Sequence, residues 1–456
     1  MADAKLTYDE ATAAEADTSG PTAAGLTIAR PSGRQMFILW LPLAASIVMM
    51  VLEPSIINIG LGRTANPELA LAAYGVAFSL ALLVEAPIIM LIDASVARST
   101  DREAFYLLRR FALGLGLLVT IVGLVVPLTS LYELIVEGWM NIPADVAAEA
   151  RPTLALLAFW PLPIAWRRTH QGVLIRAGRT TSISVATGVR LVSLAGALFV
   201  GLLLFPDQGA TIAGVSMDLS VIVEAALITW ATRSILRADL FRSASSNAGS
   251  PPLTLRELWR FYRPLAVTTL LRQATRPVLS AGIAAAAMPR ASLAAWPVAW
   301  GFVTLVGGPV WAVQQLTTAL ATDEAAYRRV RGFSLALSIL FTLLLGLVAF
   351  TPLYGVVMGG VYNLSPVLQD LALPATQLMI LYPLLMGTQS LLRGVMIRRG
   401  YTGAVRAATT ADVLTLAAAI GIGVWLFTFT GVVIAALAVM AGLLVESAWL
   451  YWRGRG

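Results

Sequence analysis

Long apolar runs, separated by short polar stretches that carry arginine, recur along the whole chain. Phe37–Ile59, Leu113–Val126, Leu335–Phe350 and Val432–Val445 are examples, and they are too long for ordinary core helices. A membrane span needs roughly 20 mostly apolar residues. The pattern predicts twelve, near 36–61, 69–93, 106–131, 150–176, 182–205, 209–234, 258–286, 291–319, 329–357, 372–398, 404–427 and 429–453. Ahead of them, residues 1–35 are rich in Ala, Thr, Asp and Glu and have little to bury, so a disordered cytoplasmic tail is expected. Between spans six and seven, Ser243-Ala-Ser-Ser-Asn and Gly249-Ser-Pro-Pro have a flexible linker composition, placing a cytoplasmic linker at 239–257. Thr254-Leu-Arg-Glu257 reads as a capping box that opens the next helix. The fold class is therefore an all-α polytopic membrane protein.

Composition agrees. Of 456 residues, 58% are hydrophobic and 12% charged, with a mean hydropathy of +0.79, against about 25% charged in a soluble domain. A net charge of +7 would suggest nucleic acid in a soluble protein. Here it reads as loop charge that orients the chain in the bilayer, because cytoplasmic loops retain Arg and Lys. Arg98, Arg102, Arg109 and Arg110, then Arg176 and Arg179, Arg233 to Arg260, Arg328 to Arg331, Arg398 to Arg406 and Arg453 fall on one side; the other offers Arg63, Arg151 and Arg290. Both termini are expected in the cytoplasm of a plasma (inner) membrane protein. The absence of cysteine excludes disulfides and thiolate metal sites, and a single histidine, His170, argues against a metal centre. No phosphate-cradling loop with its lysine is present. Neither enzyme chemistry, nor a cofactor, nor a metal is expected, and no nucleic-acid partner.

Polar and helix-breaking residues recur at an offset of 222 positions. Pro42-Leu-Ala returns as Pro264-Leu-Ala, Gly60 as Gly282, Pro87 as Pro309, and Thr100-Asp101 as Thr322-Asp323. Pro161, Gly172, Arg176 and Gly178 match Pro383, Gly394, Arg398 and Gly400, and Glu224 matches Glu446. Chance in apolar sequence explains Leu and Val matches, not Pro, Gly, Asp and Glu in one register. Each half holds six predicted spans, so both enter the membrane the same way. Two pseudo-twofold-related six-helix lobes, 36–238 and 258–456, are expected about an axis along the membrane normal, as in parallel-repeat transporters.

Ionisable groups at membrane depth are costly, and each is a functional candidate. Glu53 lies mid-membrane beside Pro54; Arg272 and Arg276, four apart on one helix face, lie at similar depth beside Pro277; Asp218 is also near mid-depth. Two readings stand. A bent helix aims two Arg into a central cleft as an anion site, or an ion pair between Glu53 and an Arg locks the lobes; an alternating carrier can use both in different states. Without cargo, Arg276 is expected to pair with Glu53, Asp218 or water. A second layer towards the cytoplasm holds Arg167, Arg168, His170, Glu85, Arg190 and Glu224, and in the other half Arg393, Asp412 and Glu446. Arg190 and Asp412 occupy equivalent repeat positions with opposite charges. This layer reads as an inner gate with salt bridges inside each lobe, or as an access funnel for an anion with His170 relaying protons. Trp160, Trp166, Trp296, Trp300 and Trp311 read as packing residues or interfacial anchors.

Several segments carry a family resemblance: Tyr74-Gly-Val-Ala-Phe-Ser-Leu80 with Pro87, Pro161 with Thr169-His170-Gln-Gly172, Phe261-Tyr-Arg-Pro-Leu-Ala266, and Thr275-Arg276-Pro277. With the two six-span lobes, they resemble the multidrug/oligosaccharidyl-lipid/polysaccharide (MOP) exporter superfamily, whose members include the multidrug and toxin extrusion (MATE) carriers. Within it, the chain is most similar to the progressive ankylosis family. That resemblance implies a MATE-like fold and export of a small polyanion such as pyrophosphate, citrate or a nucleotide, and it singles out Glu53, His170 and Arg276. Gln389 stands where that family has a basic residue, with Arg393 one turn on.

The expected function is thus alternating-access secondary transport of a small anionic substrate by a monomer in the lipid bilayer, coupled to a proton or sodium ion. Arg276, Arg272, Glu53 and Asp218 would bind the cargo; Arg167, His170, Arg190, Asp412 and Arg393 would form the inner access route or gate. The rivals are a MATE-type cation or multidrug antiporter, in which carboxylates contact the cargo, and a lipid-linked precursor flippase with a lateral portal.

Overall fold

The computed structural model describes residues 31–237 and 253–454. The predicted tail, apart from its last residues, and most of the predicted linker lie outside the described residues. In the first half the chain forms α1 (Gly33–Leu61), α2 (Pro67–Glu85), α3 (Leu91–Arg98), α4 (Arg102–Leu128), α5 (Ala144–Leu157), α6 (Pro161–Arg176), α7 (Thr180–Leu204) and α8 (Gly209–Arg237). In the second it forms α9 (Leu255–Gln273), α10 (Thr275–Ala284), α11 (Pro289–Gly307), α12 (Val313–Leu320) and α13 (Glu324–Ala349). The single turn α14 (Leu353–Gly355), then α15 (Pro366–Leu378), α16 (Tyr382–Arg398), α17 (Thr402–Leu426) and α18 (Gly431–Arg453) complete it. Among the described residues, ten helical stretches are long and apolar enough to cross a membrane. The helical stretches 144–176 and 255–284 are not among them; they carry the interior arginines Arg167 and Arg168, and Arg272 and Arg276. Outer faces are apolar as lipid contact requires: Leu117, Leu118, Ile121 and Val122 of α4 and Leu340, Leu343 and Leu347 of α13 are exposed.

The offset read from sequence is realised in local geometry. Asp101 and Asp323 cap α4 and α13, accepting from the backbone N–H of Ala104 at 2.8 Å and of Ala326 at 2.7 Å. Asn141 and Asn363 adopt left-handed φ of 52° and 57°, and Gly178 and Gly400 turn the chain at φ of 69° and 76°. Gly60 lies against Leu198, and Gly282 against Ile420, which again stand one offset apart. In both cases the missing side chain permits a close helix approach, of α1 to α7 and of α10 to α17. The capping box at Thr254 and Glu257 forms as its sequence predicts.

Proline places the principal breaks. Pro87 and Pro309 sit in 3₁₀ turns that interrupt the second span of each half, Ala86–Ile88 and Gly308–Ala312. Each break leaves a carbonyl that an aromatic side chain from the opposite half satisfies. Trp40 Nε1 donates to the Pro309 carbonyl at 3.1 Å, and the Tyr262 hydroxyl donates to the Pro87 carbonyl. Trp40 and Tyr262 are repeat equivalents, and each meets an equivalent phenylalanine edge-on, Phe333 or Phe111. The start of α1 is accordingly buried among Val310, Val313, Leu316 and Leu320 of the second half, rather than within its own.

Both ends of the described chain lie on one side. The Arg329 guanidinium donates to the Pro31 carbonyl, Arg398 to the Thr318 carbonyl at 2.8 Å, and Gly454 lies beside Met396. On the far side, a seam joins the halves. Arg290 pairs with Glu68 at 3.2 Å and Asp145 at 2.5 Å, and the Asn363 amide donates to the Gly62 carbonyl at 2.7 Å. Deeper in, the Asn58 amide donates to the Pro297 carbonyl at 2.9 Å.

Candidate functional site

Each half buries one glutamate on its last helix, α8 or α18, and surrounds it with donors from α6 and α7 or from α16 and α17. In the first half, Glu224 is 1% exposed; it pairs with Arg167 of α6 and accepts from Gln171 at 3.4 Å and Thr187 of α7 at 3.0 Å. In the second, Glu446 is fully buried and accepts from Gln389 and Arg393 of α16, the latter through Nε at 2.8 Å, and from Thr409 of α17 at 3.4 Å. Arg167 and Gln389 are repeat equivalents, as are Gln171 and Arg393. The guanidinium and the amide have therefore exchanged places, one helical turn apart on one face, and both arrangements reach the same carboxylate. A buried charge is tolerable only when paired and hydrogen-bonded, and either order satisfies that.

Arg190 extends the first cluster. It bonds Glu53 of α1 and lies 3.1 Å from Glu224, so it ties the first span to the fifth and sixth. The sequence places Glu53 and Arg190 in separate depth layers, pairs Glu53 with an arginine in one of its two readings, and offers Glu53, Asp218 or water as the partner of Arg276. An arginine side chain spans about a helical turn (~5.4 Å) along the axis, enough to join the layers, and Glu53 is taken by Arg190, so it is not the partner of Arg276. Arg167, Arg190 and Arg393 thus all hold carboxylates inside their own halves. His170 is buried, with Nδ1 2.9 Å from the Trp166 carbonyl and its ring packed on Trp166 and Phe105.

Arg272 and Arg276 differ from these. Arg272 is exposed and Arg276 half-buried, and neither makes an ion pair among the described residues. Between them the helix breaks at Ala274, where Pro277 deprives the Gln273 carbonyl of its donor. Arg272 stands within electrostatic reach of Arg393, Glu446, Asp412 and Tyr382, and Arg276 of Arg272 and Glu85. Glu85 is itself buried without an ion pair among the described residues and lies near Arg168. The half-buried Asp218 has its Oδ1 unpartnered and lies near Tyr74.

Two aromatic triads flank these groups. Tyr74 stacks on Phe78 at 5.4 Å, and Phe78 meets Trp160 at 5.7 Å. One offset on, Trp296 stacks on Trp300 at 5.7 Å, and Trp300 meets Tyr382 edge-on at 5.5 Å. Phe78, Trp296 and Trp300 are only half-buried. From sequence the tryptophans read as packing residues or anchors; carrying the 222-residue offset from Tyr74, Phe78 and Trp160 to Trp296, Trp300 and Tyr382 would have found both triads. Asp218 lies within electrostatic reach of Tyr74 in the first triad, and Arg272 within that of Tyr382 in the second.

No family model matches the chain, and no curated protein does. Solved structures do. A structure described as the inward-facing conformation of a multidrug resistance MATE family transporter of the MOP superfamily is 17% identical, with a TM-score of 0.71 over 91% of this chain and 97% of that one. The outward-facing conformation of such a transporter gives 0.56 at 17% identity, over 95% and 99%. A MOP superfamily transporter from Pyrococcus furiosus, described as having a binding pocket of reverse polarity that suggests a different function, gives 0.55 at 16% identity over 95% and 99%. The chain thus has the MATE-type fold of a multi-pass membrane protein. The resemblance to the progressive ankylosis family is corrected by these findings, which point to MATE-type structures. Its most specific motif has a packing explanation: Gly172 lies against Ser95, whose hydroxyl donates to the Thr169 carbonyl at 2.6 Å, and Gly394 repeats that contact against Thr317.

Proposed function

We propose that the chain is a secondary carrier of MATE type, an antiporter that extrudes amphipathic organic molecules by alternating access. In this reading the ten apolar stretches and the two arginine-bearing ones make twelve spans in two six-helix lobes, with both termini cytoplasmic as the loop arginines require. The observation that carries it is the pair of aromatic triads at repeat-equivalent positions, the first near Asp218 of α8 and the second near Arg272 of α9. Phe78, half-buried between the buried Tyr74 and Trp160, offers a π face to an organic cation, and Asp218 near Tyr74 a carboxylate. The far-side seam supports an inward-open state, and the better superposition on the inward-facing structure of the two named conformations agrees.

A second reading is favoured by Arg272 and Arg276. Two guanidinium groups without an ion pair suit an anionic cargo, whereas Glu53, Glu224 and Glu446 are already neutralised by Arg190, Arg167 and Arg393. Uptake into proteoliposomes separates the readings, using ethidium, citrate, pyrophosphate and ATP as cargoes. The antiporter reading expects ethidium transport that Asp218→Asn abolishes and Arg276→Ala spares. Anion transport lost in Arg276→Ala, with none of ethidium, gives the second reading instead.

A further inference from the structure

Arg190 and Asp412 stand at equivalent positions on α7 and α17 and carry opposite charges. In the first half, Arg190 closes on Glu53 of the first span. The equivalent of Glu53 in the second half is Thr275, an uncharged residue flanked by Arg272 one turn before it and by Arg276 next to it. The charges carried by these helices are therefore reversed between the halves, a carboxylate on α1 and a guanidinium on α7 in one, guanidinium groups on α9 and α10 and a carboxylate on α17 in the other. Only the first set is closed into a pair here. Arg272 and Asp412 lie within each other's electrostatic reach but form no ion pair.

Solvation explains why the second pair stands open and what would close it. Arg272 is exposed by surface area in this state, and its guanidinium has no hydrogen-bond or ion-pair partner among the described residues. If the side carrying the termini shuts while the far side opens, that exposure is lost, and a buried guanidinium without a partner is costly. Of the two carboxylates around Arg272, Glu446 is already bound by Arg393, Gln389 and Thr409. Asp412 makes no hydrogen bond among the described residues, and its Oδ1 rests where a side chain on Gly442 would lie, 2.2 Å from a Cβ there. Glycine at 442 thus keeps room for this carboxylate on the inner face of α17. We propose that Arg272 and Asp412 form the charge-reversed counterpart of the Arg190–Glu53 pair and close on each other when the molecule opens on its far side, so that Asp412 competes with cargo for Arg272.

This rests on the alternating-access reading above, not on the identity of the cargo. The chain has no cysteine, so a pair introduced as Arg272→Cys with Asp412→Cys provides the only thiols. Disulfide or short-linker cross-linking is compared with the seam intact and in Gly62→Val, whose Cβ would stand 1.9 Å from the Tyr362 carbonyl oxygen and keep the far side from closing. Cross-linking should rise in Gly62→Val, and by a smaller step in Arg290→Ala, which only unties Glu68 and Asp145. Equal yields in all three backgrounds, or none in any, would overturn the proposal. Transport adds a second readout. Arg272→Asp and Asp412→Arg should each lower uptake about tenfold, and the double exchange should recover most of it; no recovery, with the singles and the double correctly folded, counts against the pair. An inactive protein that still shows seam-dependent cross-linking keeps the pair and removes only the carrier reading.

Discussion

Arg190 is the residue on which most of the first-half charge depends. Replaced by Gln, it leaves Glu53 with no cation and Glu224 with Arg167 alone, both below 10% exposed. Removing one partner of a buried pair costs about 3–5 kcal/mol, so Arg190→Gln should lower the unfolding midpoint of the detergent-purified protein by several degrees. Glu53→Gln together with Arg190→Gln should recover much of the loss. An unchanged midpoint for the single variant would show that the pair is solvated. Sequence singled out each of these charged residues by depth, and Glu224 by the offset as well. It did not assign partners, because depth says nothing of the direction in which a helix face looks. Glu53 met Arg190 rather than Arg276 for that reason.

Among the elements, α6 and α16 carry the exchanged Arg and Gln. The exchange implies that order along the face is immaterial, provided one guanidinium and one amide reach the glutamate. Arg167→Gln combined with Gln171→Arg should therefore fold and transport like the parent, while Arg167→Gln alone destabilises; circular dichroism melts and uptake together check this. A double variant no better than the single would show that Arg190 requires Arg167 in its present place. The break before α10 makes a second case. Pro277→Ala restores a donor for the Gln273 carbonyl and should straighten the helix across Ala274. Slower hydrogen exchange at 273–278 and reduced uptake are expected; unchanged exchange would show that packing, not proline, sets the break. The break itself was legible in the sequence. The crossing of Trp40 and Tyr262 into opposite halves was not, since aromatic residues near a span's start read equally well as interfacial anchors.

For the whole molecule, the repeat is what the sequence showed most clearly, because proline, glycine and capping aspartate mark backbone positions that little else can fill. Asp101 with Asp323 and Gly178 with Gly400 fall into register in the structure for that reason. The short motifs behind the family resemblance carried less, since Gly172 and Gly394 serve helix packing that a MATE-type fold supplies equally well. The account as a whole requires the far-side seam to part in every cycle. Glu68 and Arg290, paired at 3.2 Å across it, can be replaced by cysteines in this cysteine-free chain and bridged with a reducible bifunctional reagent. Uptake by proteoliposomes of that variant should fall to background when bridged and return on reduction. Undiminished uptake through the bridged protein would contradict alternating access across this seam.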